Sequence, residues 1–221
     1  LSRRDQLKVA DIMAAAKATG QIGSLRYGLL AASEEDTRYI GSDNLAYSMS
    51  GRDFGVLRVL YEDAKGAAYR GLGWLSTVVA HPDSDAIVHG ADFHWLTTSG
   101  KWNFNGQIIH SDKGDDEQGT GILADATYTP RQGLSHEFET TLLDDTIDVN
   151  DLGYQRRNDV NEFVYRLRWN KSGLERVRNF SLSPWIRYQA NGDGFRTFHG
   201  YGLSGNLVLN SLHSIGGFIG Y

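Results

Sequence analysis

The 221-residue chain contains no cysteine. That excludes a disulfide scaffold, a thiolate metal site and a cysteine nucleophile, and it leaves the redox compartment open. Basic blocks are missing too: 22 Lys and Arg stand against 27 Asp and Glu, a formal charge of −5 that disfavours a nucleic-acid partner. No apolar stretch reaches the length of about 20 residues that a transmembrane helix needs. The uncharged tail from Thr197 to Tyr221 spaces Gly, Ser and Asn as strands do. The opening Leu1-Ser2-Arg3-Arg4-Asp5 has no methionine, apolar h-region or cleavage site, so the chain reads as a mature piece or fragment. What remains is enough chain for a single domain over residues 1–221. Its mean hydropathy of −0.40 suits a soluble protein and equally a β-barrel with a polar lumen.

From Phe54 onward the dominant period is two, the mark of strands with differently solvated faces. Leu134, His136, Phe138, Thr140 and Leu142 alternate with Ser135, Glu137, Glu139 and Thr141. Asn161, Phe163, Tyr165, Leu167 and Trp169 oppose Glu162, Arg166 and Arg168, with Val164 the one apolar residue on the polar side. The same alternation runs through Phe180 to Gln189 and Phe195 to Leu209, and more weakly through Trp102 to Ile108 and Ile122 to Tyr128. Turn signals fall at Ala64–Gly66, His81–Asp85, Ser99–Lys101, Arg131–Gly133, Lys171–Gly173 and Asn191–Gly194, which predicts antiparallel hairpins. Longer connections at Ser33–Asp53, Asp112–Gly119 and Asp144–Asp159 predict one short-turn rim and one long-loop rim. About a dozen strands of roughly 9 to 14 residues result, where globular strands average about 5 or 6. Residues Asp5 to Thr19 have helical composition and on propensity alone predict a helix, whereas a hairpin turn at Gly20–Gly23 would make them the partner strand of Leu25–Ala31. The strand reading is taken, in part from the resemblance below.

Aromatic residues sit near run ends, such as Trp95 and Trp102 at one hairpin and Tyr188 and Phe195 at another. Interfacial girdles use rings in this way, because Tyr and Trp have an apolar body and a wet tip. The pattern thus predicts an all-β, antiparallel up-and-down transmembrane β-barrel, or part of a larger one. Its alternative is a soluble β-sheet protein, a polysaccharide binder or glycoside hydrolase, whose apolar side packs on a second sheet.

The segment Asp148-Val149-Asn150-Asp151-Leu152-Gly153-Tyr154-Gln155-Arg156-Arg157-Asn158-Asp159 is more specific. It resembles the Asn-Asp-Leu-Gly-aromatic-x-x-Arg-Asn-Asp stretch of an uncharacterised bacterial outer-membrane barrel domain that commonly follows a family 9 carbohydrate-binding module. Ala16-Lys17-Ala18-Thr19-Gly20, Gly28-Leu29-Leu30-Ala31, Phe54 to Val59, Gly71 to Thr77 and His89-Gly90-Ala91-Asp92-Phe93 agree in order. The resemblance implies residence in the outer membrane of a Gram-negative bacterium, a lipid bilayer as partner, and contact with carbohydrate only through an associated module outside this sequence. Asn150, Asp151, Gly153, Arg156, Arg157 and Asp159 form its motif loop.

Chemistry on these residues reads mostly as architecture. Glu137 and Glu139 lie about 7 Å apart on one face, within the roughly 5 to 10 Å of a glycosidase pair. Such pairs are common on wet strand faces, so no catalytic residue is assigned. Glu137, Glu139, Glu162, Arg166 and Arg168 are instead expected to form a lumen-lining charge ladder. Asp115, Asp116 and Glu117, and Asp144, Asp145, Asp148 and Asp151, offer oxygen ligands but match no calcium loop. His89 and His94, five apart, fall on opposite strand faces, so no metal is assigned. There is no Gly-x-Ser-x-Gly elbow, and Gly71-Leu72-Gly73 lacks the context of a dinucleotide site, so no cofactor is expected. Arg156 and Arg157 beside Asp159 read as a salt-bridged loop clamp, with anion binding as the alternative.

Overall fold

The computed structural model describes residues 11–41, 43–81, 85–114 and 117–221. Twelve strands form one antiparallel sheet: β1 (Ile12–Ile22), β2 (Leu25–Glu34), β5 (Asp53–Lys65), β6 (Ala68–Ala80), β7 (Ala86–Leu96), β8 (Trp102–Asp112), β9 (Gln118–Arg131), β10 (Leu134–Leu143), β11 (Val160–Ser172), β12 (Val177–Ala190), β13 (Arg196–Leu209) and β14 (Ser214–Gly220). Two short strands, β3 (Thr37–Ile40) and β4 (Ala46–Met49), form a separate hairpin within the β2–β5 connection. Among the described residues there is no helix. Each strand of the large sheet pairs with its neighbours in chain order, as the hairpin signals predict. The sheet does not close: β1 and β14 are its two edges.

The segment with helical composition is a strand from Ile12 onward, paired to β2 as Ala16↔Ala31 and Gly20↔Tyr27. Cross-strand pairing and the turn at Gly23, where φ is +58°, override the helix propensity of its alanines. Residues 5–10 of that segment, 82–84 of the His81–Asp85 turn, and Asp115 and Asp116 lie outside the described residues. Connections alternate as expected: short turns follow β1, β5, β7, β9, β11 and β13, and the longest loops, 35–52 and 144–159, share the other rim.

Register assigns the faces. Phe93↔Gly106, Trp95↔Phe104, Ile108↔Ile122, Phe138↔Tyr165 and Ile186↔Tyr201 share one face, while Asp92↔Gln107, Asn105↔Asp125, Glu137↔Arg166 and Glu162↔Gln189 share the other. The polar face is concave, for Arg58 of β5 and Glu139 of β10 line one recess. On the convex face, Asp, Glu, Lys and Arg occur among the described residues only within three residues of either end of a strand, as at Asp63, Arg70 and Lys171. Its middle is apolar and open: Leu72 is 64% exposed, Ile108 56% and Tyr201 60%. Buried hydrophobic side chains are few among the described residues. Val79, Ala86, Val160 and Val164 belong to the concave face, Ile147 to the loop that covers it, and Ala190 ends β12 opposite Asn161. A water-soluble domain of this length hides far more of its apolar surface.

Rings form a row around the convex face near the short-turn rim. Trp95 meets Phe104 at 5.7 Å, Phe104 stacks on Trp102 at 5.3 Å, and Trp102 stacks on Tyr128 at 4.3 Å. The row continues through His136, Tyr165 and Phe138, and a Trp169–Phe180 edge contact follows on the next strands. Tyr188, His199, Tyr201 and Tyr221 lie toward the opposite rim, Tyr201 and Tyr221 with ring centroids 6.2 Å apart. Phe180 to Tyr188 covers about 26 Å of strand.

Candidate functional site

Functional groups gather on the concave face and in the 144–159 loop. The side chains expected in the charge ladder share this face, with a different pairing. Arg166 Nη1 donates to Glu137 (3.2 Å) and Glu139 (3.4 Å), and Arg168 Nε lies 2.9 Å from Glu137. Glu162 does not pair with these arginines. It accepts from Arg187 Nε (2.6 Å) and Gln189 Nε2 (3.0 Å) on β12, because strand register places Gln189 opposite it and Arg187 diagonally. Arg187 falls on the polar side of the Phe180–Gln189 alternation, but its partner depends on register. A second chain of contacts escaped the sequence reading. Arg58 bridges to Asp92 over Gly73, His94 contacts both Asp92 (3.1 Å) and Asn105 (2.9 Å), and Asn105 donates to Asp125 (2.8 Å). These groups and Glu137 and Glu139 line a recess of about 610 Å³. Glu137 and Glu139 are thus engaged in ion pairs. His89 faces outward beside Trp74 and Ser76, as its separation from His94 requires. No metal-holding cluster of His, Asp and Glu occurs among the described residues.

The motif loop is built from its own side chains. Asp144 accepts from Ile147 N (2.7 Å) and Thr120 N (2.5 Å), which turns the chain inward at the end of β10. Ile147 then lies on Gly119 and Gly121 of β9, where a Cβ at Gly119 would stand 2.2 Å from the Ile147 backbone. Asp148 N donates to the buried Ser111 Oγ (3.0 Å). Asp148 accepts from Asn150, Asn150 Oδ1 accepts from Gln155 N (2.8 Å), and Gln155 Nε2 donates to Ile147 O (3.0 Å). Gly153 N donates to Val149 O (2.9 Å), so close that a Cβ at Gly153 would reach that oxygen at 2.6 Å. Asp159, at φ +53°, accepts from Gly192 N (2.6 Å) and ties the loop to the β12–β13 turn.

The clamp across this loop is made by a residue the motif does not contain. Lys113 Nζ lies 2.7 Å from both Asp148 and Asp151. The Lys113 hydrogen bond, then the Asn150 amide, hold the Asp148 carboxyl below its ordinary range. Partial burial lowers the Lys113 ammonium, and the bonds to Asp148 and Asp151 outweigh it, so its pKa rises. Arg156 and Arg157, expected as the salt-bridged clamp, make no ion pair among the described residues; both are exposed at a recess of about 550 Å³ that Arg187, Phe198 and Tyr154 also line.

Fold and site together define a class: a single-layer antiparallel β-sheet protein with a convex face uncharged between the strand ends, a charged concave face and an inward-folded loop. More particularly, the chain belongs to the family of the domain of unknown function DUF5916, whose model matches residues 76–216. That match takes in β7 to β13, the arginine-lined recess, the whole motif loop and all of the first recess except Arg58 and Leu75. Neither a curated protein nor a solved structure matches it.

Proposed function

We propose that this domain forms the wall of a β-barrel in a bacterial outer membrane, as a porin-like or surface-anchoring module without catalytic residues. The observation that carries the reading is the convex face: apolar and exposed, free of charge between the strand ends, and bordered by aromatic rings. Water gives no reason for such a face, while hydrocarbon does, with rings at the headgroup level. The strands, up to 14 residues long, are long enough to cross at a tilt. In a bilayer the open edges β1 and β14 have to be paired, with each other or with further strands, because unpaired amides in hydrocarbon cost several kcal/mol each. The motif resemblance adds a carbohydrate-binding module as the associated domain.

Fractionation of cells expressing the protein tests this reading. The protein is expected in the outer-membrane fraction, released only by detergent and migrating faster on a gel when unheated. Full solubility without detergent would reject the reading.

A further inference from the structure

We propose that the recess between the 144–159 loop and strands β8 to β13 is a binding site for a small organic anion, one carrying a carboxylate, sulfate or phosphate group on an apolar or ring-shaped body. Three guanidinium groups, Arg156, Arg157 and Arg187, line it against one carboxylate, Glu162. Glu162 is already satisfied by Arg187 and Gln189. The other motif residues have structural work: Asn150, Asp151, Gly153, Gln155 and Asp159 are each used by the loop's own bonds or by the Lys113 clamp. The Arg156 and Arg157 side chains do none of it, although the Arg157 carbonyl accepts from Gln155, and the loop holds them beside a cavity of about 550 Å³, within the size range of small-molecule sites.

Guanidinium forks match planar and tetrahedral oxyanions through two parallel hydrogen bonds, which a lysine cannot reproduce. Phe198, with the Arg187 guanidinium 5.2 Å from its ring centroid, and the exposed Tyr154 supply flat apolar surface for the rest of the ligand. The site faces the concave side, away from the surface on which lipid would lie, so the anion is a solute. One sheet face and one loop form the whole site, so it exists whether or not the sheet closes in a bilayer.

Titration calorimetry of the full chain in neutral detergent at low salt, with benzoate and inorganic phosphate as probes and benzyl alcohol as the neutral isostere, tests the site. Benzoate is expected to bind, benzyl alcohol to give no heat, and added phosphate to compete. R156Q/R157Q should weaken benzoate at least tenfold while keeping the unheated gel mobility of the parent. The charge-matched R176Q/R178Q, at the opposite rim, should bind as the parent does. Benzoate binding that survives R156Q/R157Q, equal binding of benzyl alcohol, or no binding by the parent protein overturns the proposal.

Discussion

At the scale of the residue, neighbours along one strand have opposite surroundings. Ile108 of β8 points to the convex side, opposite Ile122 and Ala91, while Gln107 points to the concave side between Asp92 and Leu123. Ile108→Lys is therefore expected to destabilise the folded protein in lipid by about 2 to 4 kcal/mol, the cost of a cation near the midplane of a barrel wall. Gln107→Lys should cost well under half of that. Reversible denaturant unfolding in vesicles measures both, and equal costs would reject the facing assigned here. Gly119 makes a second residue-scale case. Any side chain there collides with the backbone of Ile147, so Gly119→Val should expel the loop from its seat. The loss, including the buried Ile147 contact, is expected at about 2 to 4 kcal/mol.

At the scale of the element, the inward loop is held near its start by the Ile147 knob and the Lys113 ion pairs with Asp148 and Asp151, and at its far end by Asp159. Absence of native cysteine allows a nitroxide to be placed at L152C, an exposed loop position, to report its mobility. The Asp148 carboxyl lies below its unfolded pKa, so its contribution is complete above about pH 4 and is lost as pH falls through the folded value. The Lys113 ammonium lies above its unfolded pKa, so its contribution is complete below about pH 10 and is lost as pH rises through the folded value. Label mobility should then stay flat from about pH 5 to pH 9 and rise only outside that window. A midpoint near pH 6.5, the histidine range, would contradict the clamp. Lys113→Met should mobilise the label throughout the window, at a cost of roughly 1 to 2 kcal/mol after solvent screening.

At the scale of the whole molecule, the concave face carries two regions of opposite sign: an acidic recess with Asp92, Asp125, Glu137 and Glu139, and the arginine-lined recess under the loop. In a closed barrel both face the lumen. Planar-bilayer recordings should show the E137Q/E139Q double variant shifted toward anions, with a lower cation-to-anion permeability ratio than the parent. An unchanged ratio in an otherwise conducting channel would place these carboxylates off the ion path. In water without detergent, the exposed convex face and the free edges of β1 and β14 are expected to drive association.

Strand identity, the short and long rims, and which side chains share a face were legible in the sequence, because a period of two and a turn chemistry are local properties of the chain. Glu137, Glu139, Glu162, Arg166 and Arg168 could be placed on one face for that reason. Tertiary structure alone decided that Glu162 answers to Arg187, that Lys113 rather than Arg156 or Arg157 clamps the loop, and that the sheet has two open edges. Those outcomes depend on register, on loop direction and on curvature, which arise only when strands distant along the chain lie side by side.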